Sequence, residues 1–144
     1  MTIEQKSSDI LIFFSDCKTL EAKYQRLMEL GRTLSPFPPE LKVPVNLVKG
    51  CQSELYLASQ LINGKIAFLA ASDALISAGL VALMLRVYDG ESPKTILTMP
   101  PLFLKDLGIL GSLSPSRSNG LAHIHQRIKI DALKFLSQSV GSFH

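Results

Sequence analysis

Asn63-Gly64 lies between two runs of β-favouring residues, 55–61 and 65–71. A two-residue type I′ turn needs positive φ at both central positions, and these two residue types tolerate it. The dipeptide therefore predicts an antiparallel hairpin. A lone hairpin is marginal in water, so the remaining chain must cover one of its faces. Residues 45–48 are short and β-branched and predict a third strand.

Helical spacing dominates on either side. Residues 3–14 predict a short helix with Ile10, Phe13 and Phe14 on one face. Residues 17–34 predict an amphipathic helix, with Asp16 as its N-cap and Leu20, Tyr24, Leu27, Gly31 and Leu34 along its apolar stripe. Ser35-Pro36-Phe37-Pro38-Pro39 ends it, because proline lacks a donor and clashes with the preceding turn. After the hairpin, Ser72 or Asp73 caps a helix that runs to about Tyr88. Its apolar residues go nearly all the way round, which marks a buried helix. Ser92-Pro93 opens a short helical piece, and Pro101 opens another that Gly108 ends. Residues 114–120 read as a polar loop and 121–136 as the last helix. The expected fold is α+β: a small three-stranded antiparallel sheet packed by N- and C-terminal helices, in one domain over residues 1–144.

The chain is 47% hydrophobic, which excludes wholesale disorder. Its longest apolar run, near residues 80–85, is far short of the roughly 20 residues that span a bilayer, so no membrane partner is expected. The net charge is +3, yet no two of the lysines and arginines are adjacent. A basic balance without a patch gives no footprint for nucleic acid. The first residues have neither a basic n-region nor a long apolar run, so neither a signal nor a transit peptide is read there. With only Cys17 and Cys51, the expectation is a cytoplasmic protein with reduced thiols and no metal site.

Few residues offer chemistry. Cys51 lies in Lys49-Gly50-Cys51-Gln52-Ser53, where Gly50 permits a sharp turn and Lys49 can favour a thiolate. A turn presents a thiol to a partner; a small buried hydrophobe is the plainer alternative. Cys17 reads as half-buried filler. No Cys-x-x-Cys pair is present, so a thioredoxin-type function loses its signature. His123 and His125 are two apart on a helix, do not face each other, and read as solvated. Asp73 suits a helix N-terminus, and Arg117 a loop at the surface. No phosphate-cradling glycine loop, Gly-x-Ser-x-Gly or His-Glu-x-x-His occurs.

Four segments together resemble the SufE family of sulfur acceptors. Asn46-x-Val48-x-Gly50-Cys51-Gln52-Ser53 is similar to its cysteine loop. Tyr24-x-x-Leu27-x-x-Leu30-Gly31 resembles its N-terminal helix signature. Ser72-Asp73-Ala74-x-Ile76-x-x-Gly79-Leu80 resembles the start of its central helix. Leu113-Ser114-Pro115-Ser116-Arg117-Ser118-Asn119-Gly120-Leu121 resembles its C-terminal signature. They occur in the family's order over most of the chain.

The resemblance implies an α+β fold related to the IscU-type scaffold. It implies a non-enzymatic accessory protein without a cofactor of its own. Cys51 would accept persulfide sulfur from a cysteine desulfurase of the SufS or CsdA kind, stimulate it, and pass the sulfur to an iron–sulfur scaffold. Gly50, Gln52 and Ser53 would shape the loop, and Asp73 and Arg117 would support it or face the desulfurase. The apolar neighbours of the hairpin suggest that the thiol is tucked away in the free protein. Leu20 stands where many members have tryptophan, and Glu54-Leu55-Tyr56 replaces a commoner Gln-Val-Trp type of run. Glu54 places an acid beside the loop that can raise the thiol pKa. Two other readings stay open: a binding module that tunes the desulfurase without carrying sulfur, and an iron–sulfur scaffold.

Overall fold

The computed structural model describes residues 1–51 and 53–141. It is an α+β structure in the order α1 (Ile3–Phe13), α2 (Leu20–Gly31), β1 (Leu55–Ile62), β2 (Lys65–Ser72), α3 (Leu75–Tyr88), α4 (Pro93–Thr98), α5 (Phe103–Leu107) and α6 (Pro115–Gly141). Among the described residues no helix is long and apolar enough to cross a membrane.

The hairpin follows the turn chemistry. Asn63 and Gly64 take φ of 51° and 79°, and β1 pairs with β2 from Ile62↔Lys65 to Leu55↔Ser72. This register puts Leu55 and Leu57 on the same face as Ile66, Phe68 and Ala70, all buried. A slip of one residue would turn that whole set towards water.

The expected third strand is not formed. Pro44–Asn46 is a 3₁₀ turn closed by the Leu47 amide donating to the Pro44 carbonyl at 3.1 Å. Proline has no N–H to give a ladder, and Val45 is 76% exposed, with no face to bury. What remains is a bridge between Leu47 and Tyr56 and one bond, 2.8 Å, from the Val48 amide to the Leu55 carbonyl. The sheet has two strands.

α3 is the central helix. Every residue from Ala78 to Leu85 is buried, as are Val87 and Tyr88. It packs against α2, β2, α1 and α6. Against α2 the approach is at backbone distance. A Cβ on Gly79 would meet the Leu27 carbonyl oxygen at 2.4 Å, and one on Gly31 the Gly79 amide nitrogen at 2.7 Å.

The starts of α2 and α6 differ from expectation. Thr19, not Asp16, caps α2, its hydroxyl accepting the Ala22 amide at 3.1 Å. Asp16 instead takes two hydrogen bonds from Arg26, at 2.9 and 3.1 Å. α6 begins at Pro115, so residues 115–120 are helix and not loop. The Ser114 hydroxyl accepts the Arg117 amide at 3.3 Å, with proline at the first helical position.

Asp131 fixes α6 to the sheet. It accepts from the Ser59 hydroxyl at 2.7 Å and from Arg127 Nε at 3.0 Å, while Arg127 Nη2 donates to the Leu57 carbonyl at 3.2 Å. Asp131 is 7% exposed, and its charge is both paired and hydrogen-bonded.

Candidate functional site

The segment 49–54 is a short excursion between two pinned stems. At its base, Val48 and Leu55 are buried and joined by their backbone bond. Asp73 makes the second fastening. Its carboxylate accepts the Glu54 amide at 3.1 Å, and its own amide donates to the Glu54 carbonyl at 3.2 Å. Asp73 therefore does not cap α3. The N-cap is Ala74, and no side chain caps there. The third fastening is a 2.7 Å hydrogen bond between the hydroxyls of Ser53 and Ser77, which ties the loop to α3. Gln52 lies outside the described residues.

Gly50 has φ of +88°, a backbone state that glycine adopts without a Cβ penalty. It turns the chain so that Cys51 points towards α6. The thiol is half-buried, and its S–H points at the Gly120 carbonyl at 3.8 Å, a long and weak contact. Beside it is a pocket of about 140 Å³. Leu55, Leu80 and Ile124 give it apolar walls, and Ser77, Ser116 and Arg117 give it polar ones. Helix α6 supplies one wall because its first two turns are helical. Gly120 stands beside the thiol: a Cβ there would lie 3.9 Å from the sulfur, in ordinary van der Waals contact.

Burial pushes the Cys51 thiol above its ordinary value. Neither neighbouring charge is a cause of this shift. Lys49 is exposed, and Glu54 accepts from the Tyr56 hydroxyl at 2.7 Å. Arg117 is exposed, with its guanidinium 5.9 Å from the centre of the Tyr24 ring. Tyr24 is in turn fixed by its hydroxyl, which donates to the Ser112 carbonyl at 2.8 Å. The structure thus brings Cys51, Ser53 and Arg117 to one pocket, with Gly50 and Asp73 shaping the loop above it.

Three residues outside the cysteine loop depart from their sequence readings in burial. Cys17 is filler, but it is buried in the core and not half-buried. The two helix histidines are half-buried, not solvated. His125 stacks on Tyr88 with ring centroids 6.2 Å apart, and burial followed by the nearby Lys129 lowers its pKa. His123 lies over Gly50, and sequence reasoning gave it no part in the site. The available signal was its place three residues after Gly120, on the same face of one helix. Among the described residues no group of three or more His, Cys, Asp or Glu side chains converges as a metal site would require.

Fold and site together define an α+β protein that presents one half-buried thiol at the tip of a fastened loop. The chain belongs to the SufE family: the model of that family, an Fe-S metabolism associated domain, matches residues 8–132. That places it in iron–sulfur metabolism. It is 37% identical over 120 residues to the uncharacterized SufE-like protein slr1419 of Synechocystis sp. (strain ATCC 27184 / PCC 6803 / Kazusa), which covers 83% of this chain and 76% of that one. It is also similar to the solution structure of a hypothetical protein from Thermus thermophilus. The TM-score there is 0.75 at 27% identity, over 92% of this chain and 96% of that chain.

Proposed function

We propose that this protein takes sulfur from the persulfide of a cysteine desulfurase onto Cys51, and hands it to an iron–sulfur scaffold in the cytoplasm. The observation that carries the reading is the thiol itself: half-buried, on a loop, beside a pocket of about 140 Å³. A pocket that size has room for one more sulfur atom, since a water needs only about 10–15 Å³ of comparable space.

The transfer balances without an oxidant. The Cys51 thiolate attacks the outer sulfur of the donor persulfide. A new S–S bond forms to Cys51, the donor's S–S bond breaks, and the donor cysteine leaves as a thiolate. Cys51 then carries the persulfide, and the same exchange in the forward direction unloads it. The protein is a carrier in this scheme and not an enzyme, because one load of sulfur must be delivered before the next is taken. Asp73, Gly50 and Ser53 give the loop its closed form. Arg117 offers a fixed positive charge where an anionic persulfide or an acidic donor surface arrives.

A second reading is a binding module that stimulates the desulfurase without carrying sulfur. The raised thiol pKa favours it, because the free protein holds its thiol in the less reactive form. Desulfurase turnover, followed by alanine release, separates the two. Sulfur acceptance predicts that Cys51→Ser abolishes stimulation while binding persists. Full stimulation by the variant contradicts it and leaves the binding module.

A further inference from the structure

A Cβ built on Gly50 would fall 2.4, 2.5 and 2.6 Å from Nε2, Cδ2 and Cε1 of His123. Those near-equal distances have a geometric meaning. If the ring pointed at the glycine end-on, the two carbons would lie much farther away than the nitrogen. The imidazole therefore lies with its outer face over the Gly50 backbone and occupies the space a side chain would fill. His123 is half-buried, on α6, one turn after the Gly120 carbonyl that faces the Cys51 sulfur. Gly50, directly before Cys51, carries the positive φ that aims the thiol inwards.

We infer that His123 is a positioning residue for Cys51: its ring is the surface on which the loop closes, and the contact sets how readily the thiol swings out of the pocket. Three polar fastenings hold the stems of the loop, at Val48, Asp73 and Ser53. None of them holds Gly50. Among the described residues, the ring-on-glycine contact bears on Gly50 directly, and its atoms lose their dispersion partners when the loop lifts. A docking partner must lift it to reach the sulfur, so the stability of this contact subtracts from apparent affinity for that partner. The inference takes Cys51 as the working thiol, as proposed above.

The test is the alkylation rate of Cys51 by iodoacetamide in the free protein, read by peptide mass mapping at one pH. Replacing His123 by alanine is expected to speed alkylation about tenfold, the scale of a modest local opening equilibrium. His123→Phe keeps a flat ring over the glycine and is expected to restore a slow rate. Alanine is the best helix former, so a role confined to the stability of α6 predicts no acceleration from His123→Ala. Gly50→Ala provides the coupled arm. The backbone strain of alanine at positive φ is common to both backgrounds. Its clash with the ring is present only when His123 is there. Gly50→Ala is expected to accelerate alkylation more in the native background than in His123→Ala. Unchanged rates in His123→Ala, no rescue by phenylalanine, or additive effects of the two substitutions would each overturn the inference. The assay contains no desulfurase, so its failure leaves the sulfur-acceptor proposal standing.

Discussion

A thiol attacks sulfur only as the thiolate. At Cys51 burial disfavours that ion and lifts the pKa above the ordinary 9.0. The loop thus suits storage more than reaction, and reaction requires it to open or a partner to supply positive charge. The sign of the pH effect follows. Below 9.0 both folded and unfolded chains keep the thiol protonated, and the group contributes no pH dependence to stability. Above it the unfolded chain ionises first, so stability falls as pH rises. Alkylation of Cys51 across pH is expected to show a midpoint above 9.0 in the folded protein, with Cys51 in urea as the unshifted reference. A midpoint at or below the reference would mean that the thiol is activated in the free state. Lys49 and Glu54 illustrate what the sequence leaves open at this scale. Both stand near Cys51 in the chain, yet the environment of the sulfur is set by Leu55, Leu80 and Ile124, which come from three different elements.

Elements were legible where one residue type has one physical use. Asn63-Gly64 gave the hairpin, and Ser92-Pro93 gave α4, whose serine accepts the Thr95 amide at 3.2 Å. Ser114-Pro115 carries the same start signal, but the serine-rich stretch and Gly120 behind it read as a loop. The Ser114 hydroxyl caps α6 through the Arg117 amide, and the helix runs on through Gly120, a residue type that costs a helix about 1 kcal/mol. Residues 45–48 failed as a strand for a different reason: β-propensity describes a half-buried pleated surface, and here Val45 faces water while Val48 alone is buried. Gly31 and Gly79 were visible as part of motifs, but their meaning is a contact between two helices that sequence spacing cannot display. Gly79→Ala puts a methyl group against the Leu27 carbonyl. It is expected to cost about 3 kcal/mol, seen as a lower urea midpoint with an unchanged slope. A neutral result would mean that α2 and α3 are less closely crossed.

At the scale of the molecule, the site is a seam between two halves of the fold. The hairpin and α3 carry the thiol loop, and α6 carries the opposite wall of the pocket. Asp131 is a polar joint between them, through Ser59 on β1 and Arg127 on its own helix. Removing it leaves a mostly buried arginine without its carboxylate. Asp131→Ala is expected to cost about 3 kcal/mol in urea unfolding. It is also expected to speed Cys51 alkylation in the absence of denaturant, because the α6 wall loses its register against the sheet. Loss of stability without faster alkylation would show the joint to be separate from the site. Among the residues that line the pocket, Arg117 is the one that carries a charge.

The proposed role of this protein rests on Cys51 carrying sulfur. The direct measurement is the intact mass of the protein after incubation with a cysteine desulfurase and cysteine, without reductant. The expected result is a gain of one sulfur atom that maps to Cys51, disappears on adding a thiol reductant, and is absent in Cys51→Ser. An unchanged mass while the desulfurase is visibly stimulated would contradict it.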